Sequence, residues 1–402
     1  MYLENYKTTV TSTMMMSEDT GALTDDRILE LRRQFPILES SIYLYNCSQG
    51  ALSTAVQRGM EEYALSWRTS SAPWDDWMER YDSIREEFAH FINASPDEIA
   101  ILTSASAGIN PIANALNFDG RNKVIMGEFE FPTMGHIWLA QRARGANIQF
   151  LPAIENRIPI DSYARAIDDR TMIVPLTHVS FTNGFRSDVA AITRLAHERD
   201  ALVFVDGYQD CGTRPIDVKA WGVDFYVTGT LKYLLGPPGV AFLYVRRELS
   251  EKLMPSITSW MAQREVFAFN AKSLDPAPNA RRFEGGSPPI PSIYAALPAL
   301  QLLQSVGLTN VAAQIQKLTT AFLEGASELG IAIKTPRNSE GPLVVLRTKD
   351  PSRLVAKLTE RRIVVSARHD GVRFAFHFYN TLDDVREALQ ALKDNLNLMV
   401  CG

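Results

Sequence analysis

Between residues 98 and 245 short apolar runs alternate with helix-like stretches, and no other feature of the sequence constrains the fold as tightly. The runs are EIAILT (98–103), KVIMGE (123–128), NIQFLPA (147–153), TMIVPLTHVS (171–180), ALVFVD (201–206), VDFYVTG (223–229) and GVAFLYV (239–245). A strand with one wet face carries a polar residue at every second position. These runs do not, so they are expected to be buried on both sides. Stretches such as AAITRLAHERD (190–200) supply the helices between them. Buried strands joined by helices make an α/β fold with a mostly parallel sheet covered by helices. Ligands of such sheets bind just beyond the carboxyl ends of the strands. Thr103, Asp206 and Thr230 are expected at those ends.

The flanking segments read differently. DRILELRRQFPILES (26–40) has the pattern of a short amphipathic helix ending near Pro36, with a strand in SIYLYN (41–46) and a long helical stretch over 53–92. ARRFEGGSPPIP (280–291) is a Gly/Pro/Ser-rich break, expected as the hinge to a second unit. Helices follow at 292–306 and 308–329, then PLVVLRT, RIVVSAR and VRFAFHF as strands, then a helix from Thr381. The expected division is a flexible tail over 1–25, an N-terminal segment over 26–52 packing near the small domain, a large domain over 53–285, and a smaller α+β domain over 286–402.

Composition removes several functions. The formal net charge is −5 and no basic block occurs, which argues against a nucleic-acid partner. No apolar run is long enough to cross a bilayer, and the polar opening lacks the architecture of a secretion signal. The three cysteines, Cys47, Cys211 and Cys401, are widely spaced and odd in number, which fits a reducing cytoplasm. HExxH, GxSxG, Walker and GxGxxG patterns are absent, and the six histidines show no metal-ligand spacing.

Five places carry chemistry. Lys232 lies between a strand-like run and a Gly-Pro-Pro-Gly turn, flanked by Leu231, Tyr233, Leu234 and Leu235. A recessed lysine is a poor ammonium ion and a good amine, suited to a Schiff base with a carbonyl compound. Asp206 ends another run; it either caps a turn or pairs with a protonated ring nitrogen, with Gln209 placed to donate to a phenolate-like oxygen. TSASAGIN (103–110) offers helix-start amides and hydroxyls to a phosphate, although Ser and Thr also cap helices for purely structural reasons. Thr228 and Thr230 add hydroxyls near the lysine. Phe129 or Phe131, in GEFEFPTMGHIW, could stack on a flat ring or simply fill the core. Arg373, among alternating apolar residues, needs an anion: an internal acid or the carboxylate of an amino acid.

Taken together, these elements resemble the class-V aminotransferase family of fold-type I pyridoxal-phosphate (PLP) enzymes, which includes cysteine desulfurases, selenocysteine lyases, kynureninases and isopenicillin N epimerases. The resemblance runs from YLYNCSQGALS (43–53) to FYNTLDDV (378–385) and centres on VDGYQDCGTRPIDVKAWGVDFYVTGTLKYLLGPPGVAFLYV (205–245). It implies the aspartate-aminotransferase-like fold, with Lys232 as the Schiff-base lysine that also moves the α-proton. Asp206 is implied at the pyridine nitrogen, Gln209 at the ring hydroxyl and Phe131 on the ring face. Ala105, Ser106, Thr230 and Thr228 are implied at the phosphate, and Arg373 at the substrate carboxylate. RFEGGSP (282–288) resembles the family's Arg-Phe-Glu-x-Gly-Thr-Pro, so Gly286 and Ser287 are implied to reach the neighbouring subunit's phosphate in a homodimer. SARHDGVRF (366–374) is short and has no cysteine where desulfurases carry their nucleophilic loop. The resemblance therefore implies a lyase without a catalytic thiol, or an aminotransferase, acting on a small amino acid. Epimerase, kynureninase-like hydrolase and non-catalytic PLP-fold binder are the alternatives.

Overall fold

The computed structural model describes residues 23–402; most of the expected tail, residues 1–22, lies outside the described residues. Seven strands form the central sheet: β2 (Ile99–Leu102), β3 (Lys123–Gly127), β4 (Asn147–Leu151), β5 (Thr171–Thr177), β6 (Leu202–Asp206), β7 (Phe225–Gly229) and β8 (Ala241–Val245). Their order is β2-β8-β7-β6-β5-β3-β4, and every strand except β8 runs the same way. All seven expected runs became strands. β8 runs antiparallel because the Gly-Pro-Pro-Gly turn returns the chain directly to the sheet, with no helix to carry it back.

Register places the candidate residues along one edge. Leu102, Ala241 and Gly229 are neighbours across β2, β8 and β7, and Val227, Asp206 and Thr177 across β7, β6 and β5. Helices cover both faces. One face is packed by Phe88, Ile192 and Leu300 and their neighbours, with Phe88 stacked 3.9 Å from Phe242 of β8. The other is packed by Ile109, Ile112 and Trp138. Fully burying one such side chain is worth about 1.5–3 kcal/mol, so a sheet closed on both faces holds its edge residues on a stiff base.

The expected helical stretch 53–92 is two helices, Thr54–Thr69 and Trp74–Phe91, broken before Pro73. Helix Ile290–Val306, expected beyond the hinge, packs along these two and shares their core. The chain therefore leaves the large layer at Gly307, whose φ of 83° ends that helix. Beyond it, β9 (Leu343–Arg347), β11 (Ser366–Arg368) and β12 (Gly371–Ala375) form an antiparallel sheet of order β11-β12-β9. Phe322, Leu354 and Val385 of three helices pack on it. A two-stranded pair, β1 (Ile42–Tyr43) with β10 (Ile363–Val364), ties the N-terminal segment to this smaller unit. Among the described residues no helix is long and apolar enough to cross a membrane.

Candidate active site

Lys232 follows β7 in a loop held shut from inside. Thr230 N–H donates to Val240 O, and Gly236 and Leu235 donate back to Thr230 O and Lys232 O. Tyr233, Leu234 and Leu235 are buried around it. The Lys232 Nζ lies 4.6 Å from the Tyr208 ring centre and 5.4 Å from that of Phe131. It has no hydrogen-bond acceptor among the described residues. Burial lowers its pKa to about 8, although the charge of Asp206 pulls the other way.

Asp206 is the last residue of β6 and is buried; its Oδ1 accepts from Tyr208 N at 2.9 Å. Burial pushes its carboxyl up, and the Tyr208 amide and the Lys232 charge partly offset this. Gln209 Nε2 donates to Cys47 O at 3.0 Å, while its Oε1 is buried without a partner. Ala105 and Ser106 open helix Ala105–Ala115, where Ser104 Oγ caps the amide of Ala107. The amides of Ala105 and Ser106 have no acceptor among the described residues. Of the two phenylalanines, Phe131 stands at the crevice, 40% exposed, at the start of helix Pro132–Ala140. Phe129 packs into the core.

Arg373, in β12, is 1% exposed, yet among the described residues no carboxylate touches it. Its Nε donates to Ser366 Oγ at 3.0 Å, Nη1 to Phe181 O at 3.2 Å and Nη2 to Ser48 Oγ at 2.7 Å. Burial lowers its pKa. A buried guanidinium held by these neutral acceptors keeps its full charge and is suited to receive an anion.

One short segment joins these parts. Cys47 O accepts from Gln209, Ser48 Oγ from Arg373, and Gly50 N donates to Leu231 O at 2.8 Å. A Cβ on Gly50 would sit 2.4 Å from Lys232 O, so only glycine permits this approach.

Some expected residues lie elsewhere. Thr230 Oγ1 donates to Pro237 O at 2.5 Å and is fully buried, so it braces the lysine loop and does not face the crevice. Thr228 is also fully buried, its hydroxyl beside Cys211 and Tyr226 on the far side of β7. Alternation along a strand, not proximity in sequence, decides which face a hydroxyl takes. Gly286 and Ser287 are exposed, and Gly286 has a φ of 67°. Glu284 anchors that segment, accepting from Arg85 at 2.7 Å and Ile101 N at 3.0 Å, and from Tyr81.

The sequence reading missed Tyr208, Ser48, Ser366 and Glu130. Thr177, the neighbour of Asp206 in β5, donates to Glu130 Oε2 at 2.6 Å. Burial raises the Glu130 pKa to about 8; the Thr177 hydroxyl opposes the shift and the Asp206 charge adds to it. This half-buried second carboxyl near Asp206 is therefore mostly protonated at neutral pH.

A family model described as Aminotransferase class-V matches residues 42–388. The chain belongs to the class-V aminotransferase family. It is 34% identical over 364 residues to the uncharacterized aminotransferase YcbU of Bacillus subtilis, covering 90% of this chain and 96% of the relative. It is 29% identical to the kynureninase of Deinococcus radiodurans, over 91% of this chain and 93% of that one. The apo cysteine desulfurase of Thermococcus onnurineus has the same fold, with a TM-score of 0.84 at 22% identity over 92% of this chain and 98% of its own. Enzymes of the class-V aminotransferase family use PLP, and the residues here fit that group: among the described residues, a half-buried amine without an acceptor, the Asp206 carboxyl whose charge reaches it, a Gln209 oxygen without a partner and free amides at a helix start.

Proposed function

We propose that this class-V aminotransferase acts at the α-carbon of a small amino acid, with Arg373 as the carboxylate grip and Lys232 as the proton carrier. The observation carrying this reading is the stitch through residues 47–50, which fastens the Arg373 guanidinium and the Lys232 loop into one crevice. Bound PLP supplies an aldehyde for Schiff-base formation and a ring that accepts the electron pair left at the α-carbon. Ala105 and Ser106 would hold its phosphate through their amides. Asp206 would face the ring nitrogen, Gln209 the ring hydroxyl, and Phe131 one ring face. Arg373 donates two parallel hydrogen bonds to the substrate carboxylate once Ser48 or Phe181 O releases it. Lys232 Nζ, neutral in about a tenth of molecules at pH 7, takes the α-proton and returns it.

The outcome is a lyase-type cleavage or transamination in which no thiol takes part. β11 and β12 are joined by a tight turn through His369 and Asp370, with no cysteine on the hairpin. Cys47, the thiol near Arg373, is 1% exposed and packed against Ser366 Oγ at 3.5 Å. The holoenzyme mixed with a panel of amino acids in heavy water is expected to exchange the α-proton of its substrates. The accompanying product, a keto acid or a side-chain fragment, identifies the branch. No exchange with any amino acid would overturn the reading.

We also propose a homodimer that completes the crevice with Gly286 and Ser287. The exposed side chains Phe267 and Phe269 pack on Trp260, and the adjacent Ser259 ties this aromatic loop to the segment by donating to Glu284 O at 2.9 Å. Exposed aromatics in such number mark a covered surface. Sedimentation equilibrium at micromolar concentration is expected to give twice the chain mass, and a monomer would refute the arrangement.

A further inference from the structure

A second guanidinium stands near the carboxylate grip and has no acidic partner. In the hairpin of β11 and β12, Ser366 lies across from Arg373 and Arg368 across from Gly371. Side chains alternate along a strand, so Arg368 shares the face of Ser366, two residues and about 7 Å further along. That is the face on which Ser366 Oγ receives Arg373 Nε. Arg368 is exposed and donates only to Ala367 O, at 2.9 Å, with no carboxylate within ion-pair distance among the described residues. Asp370, the nearest acid in sequence, is held by Lys334 at 2.6 Å and faces Arg347 at 3.5 Å.

The remaining charges at the crevice leave an excess of positive charge. Lys232, Arg373 and Arg368 are the cations; Asp206 and Glu130 are the carboxyls, and Glu130 is mostly protonated at neutral pH. The Arg368 charge reaches both Lys232 and Arg373, disfavouring a proton on each. The aromatic rings of Phe131 and Tyr208 contribute no formal charge. A substrate bearing one carboxylate would leave Arg368 unmatched.

We infer that Arg368 selects an acidic amino acid, receiving the side-chain carboxylate of an aspartate- or glutamate-like substrate while Arg373 receives the α-carboxylate. This rests on the reading above that the crevice takes an amino acid at Arg373. A charge-assisted hydrogen bond contributes about 1.5–3 kcal/mol, so kcat/KM for the acid should exceed that for its amide by roughly 10- to 150-fold.

The test compares aspartate with asparagine, and glutamate with glutamine, on the holoenzyme and its Arg368→Gln and Arg368→Lys variants. Expected is a strong acid preference, carried by KM, that collapses to about threefold or less in Arg368→Gln and partly returns in Arg368→Lys. Succinate, which has two carboxylates and no amine, should bind the holoenzyme in calorimetry and lose at least tenfold in affinity in Arg368→Gln. Equal use of acids and amides by the unmodified enzyme, or succinate binding unchanged in Arg368→Gln, would overturn the assignment. Failure of the underlying reading looks different: no amino acid, acidic or neutral, would exchange its α-proton.

Discussion

Replacing Lys232 with alanine is expected to remove every borohydride-trappable link between the protein and PLP, and to cut turnover by about three to four powers of ten. Lys232→Arg should do the same, because a guanidinium keeps the charge but is no nucleophile at neutral pH. The unmodified protein supplies a finer measure. Only the neutral amine attacks an aldehyde, and burial holds this amine near pKa 8 where an ordinary lysine lies near 10.5. About a tenth of it is thus neutral at pH 7, against under a thousandth for an exposed lysine. The rate of covalent loading, followed by absorbance, should rise with pH and level off above about 8. A profile still rising at pH 10, or an adduct on Lys232→Ala, would contradict the site.

Asp206→Asn is expected to fold, bind PLP and turn over slowly. The carboxylate sits at the stiff end of β6, its Oδ1 taken by Tyr208 N, and its remaining charge faces the crevice. Asn in its place would lose the charged partner proposed for the ring nitrogen, worth about 1.5–3 kcal/mol and so roughly one to two powers of ten in kcat. Asp206→Glu, which restores the charge on a longer arm, should recover part of the loss. Turnover within threefold of the parent in Asp206→Asn would mean that Asp206 only caps the turn at Tyr208.

The layered fold was legible because it rests on local pattern, and the same pattern sets where the proposed site residues fall. Runs buried on two faces announced the sheet, and Asp206, Lys232 and the helix start at Ala105 lie where parallel strands end. The direction of β8 was not legible, since a run buried on both faces looks alike in either orientation. Thr230 was misassigned because its position before Lys232 says nothing of the Gly-Pro-Pro-Gly turn that folds back to claim its hydroxyl. Helix Ile290–Val306 follows a Pro/Gly break that reads as a hinge, yet its apolar surface matches the large layer. Ser48 and Ser366 could not be found from sequence at all, because only the closed fold brings positions so far apart in the chain onto one arginine.

The segment at residues 46–50 touches strands completed only near the far terminus: Asn46 Nδ2 donates to Ala375 O at 2.8 Å, and Ser48 accepts from Arg373. During synthesis the amine loop therefore exists long before its partner arginine emerges. A nascent polypeptide stopped short of β12 has the reactive nitrogen but not Arg373 to grasp a carboxylate, so catalytic competence arrives only once β12 is made.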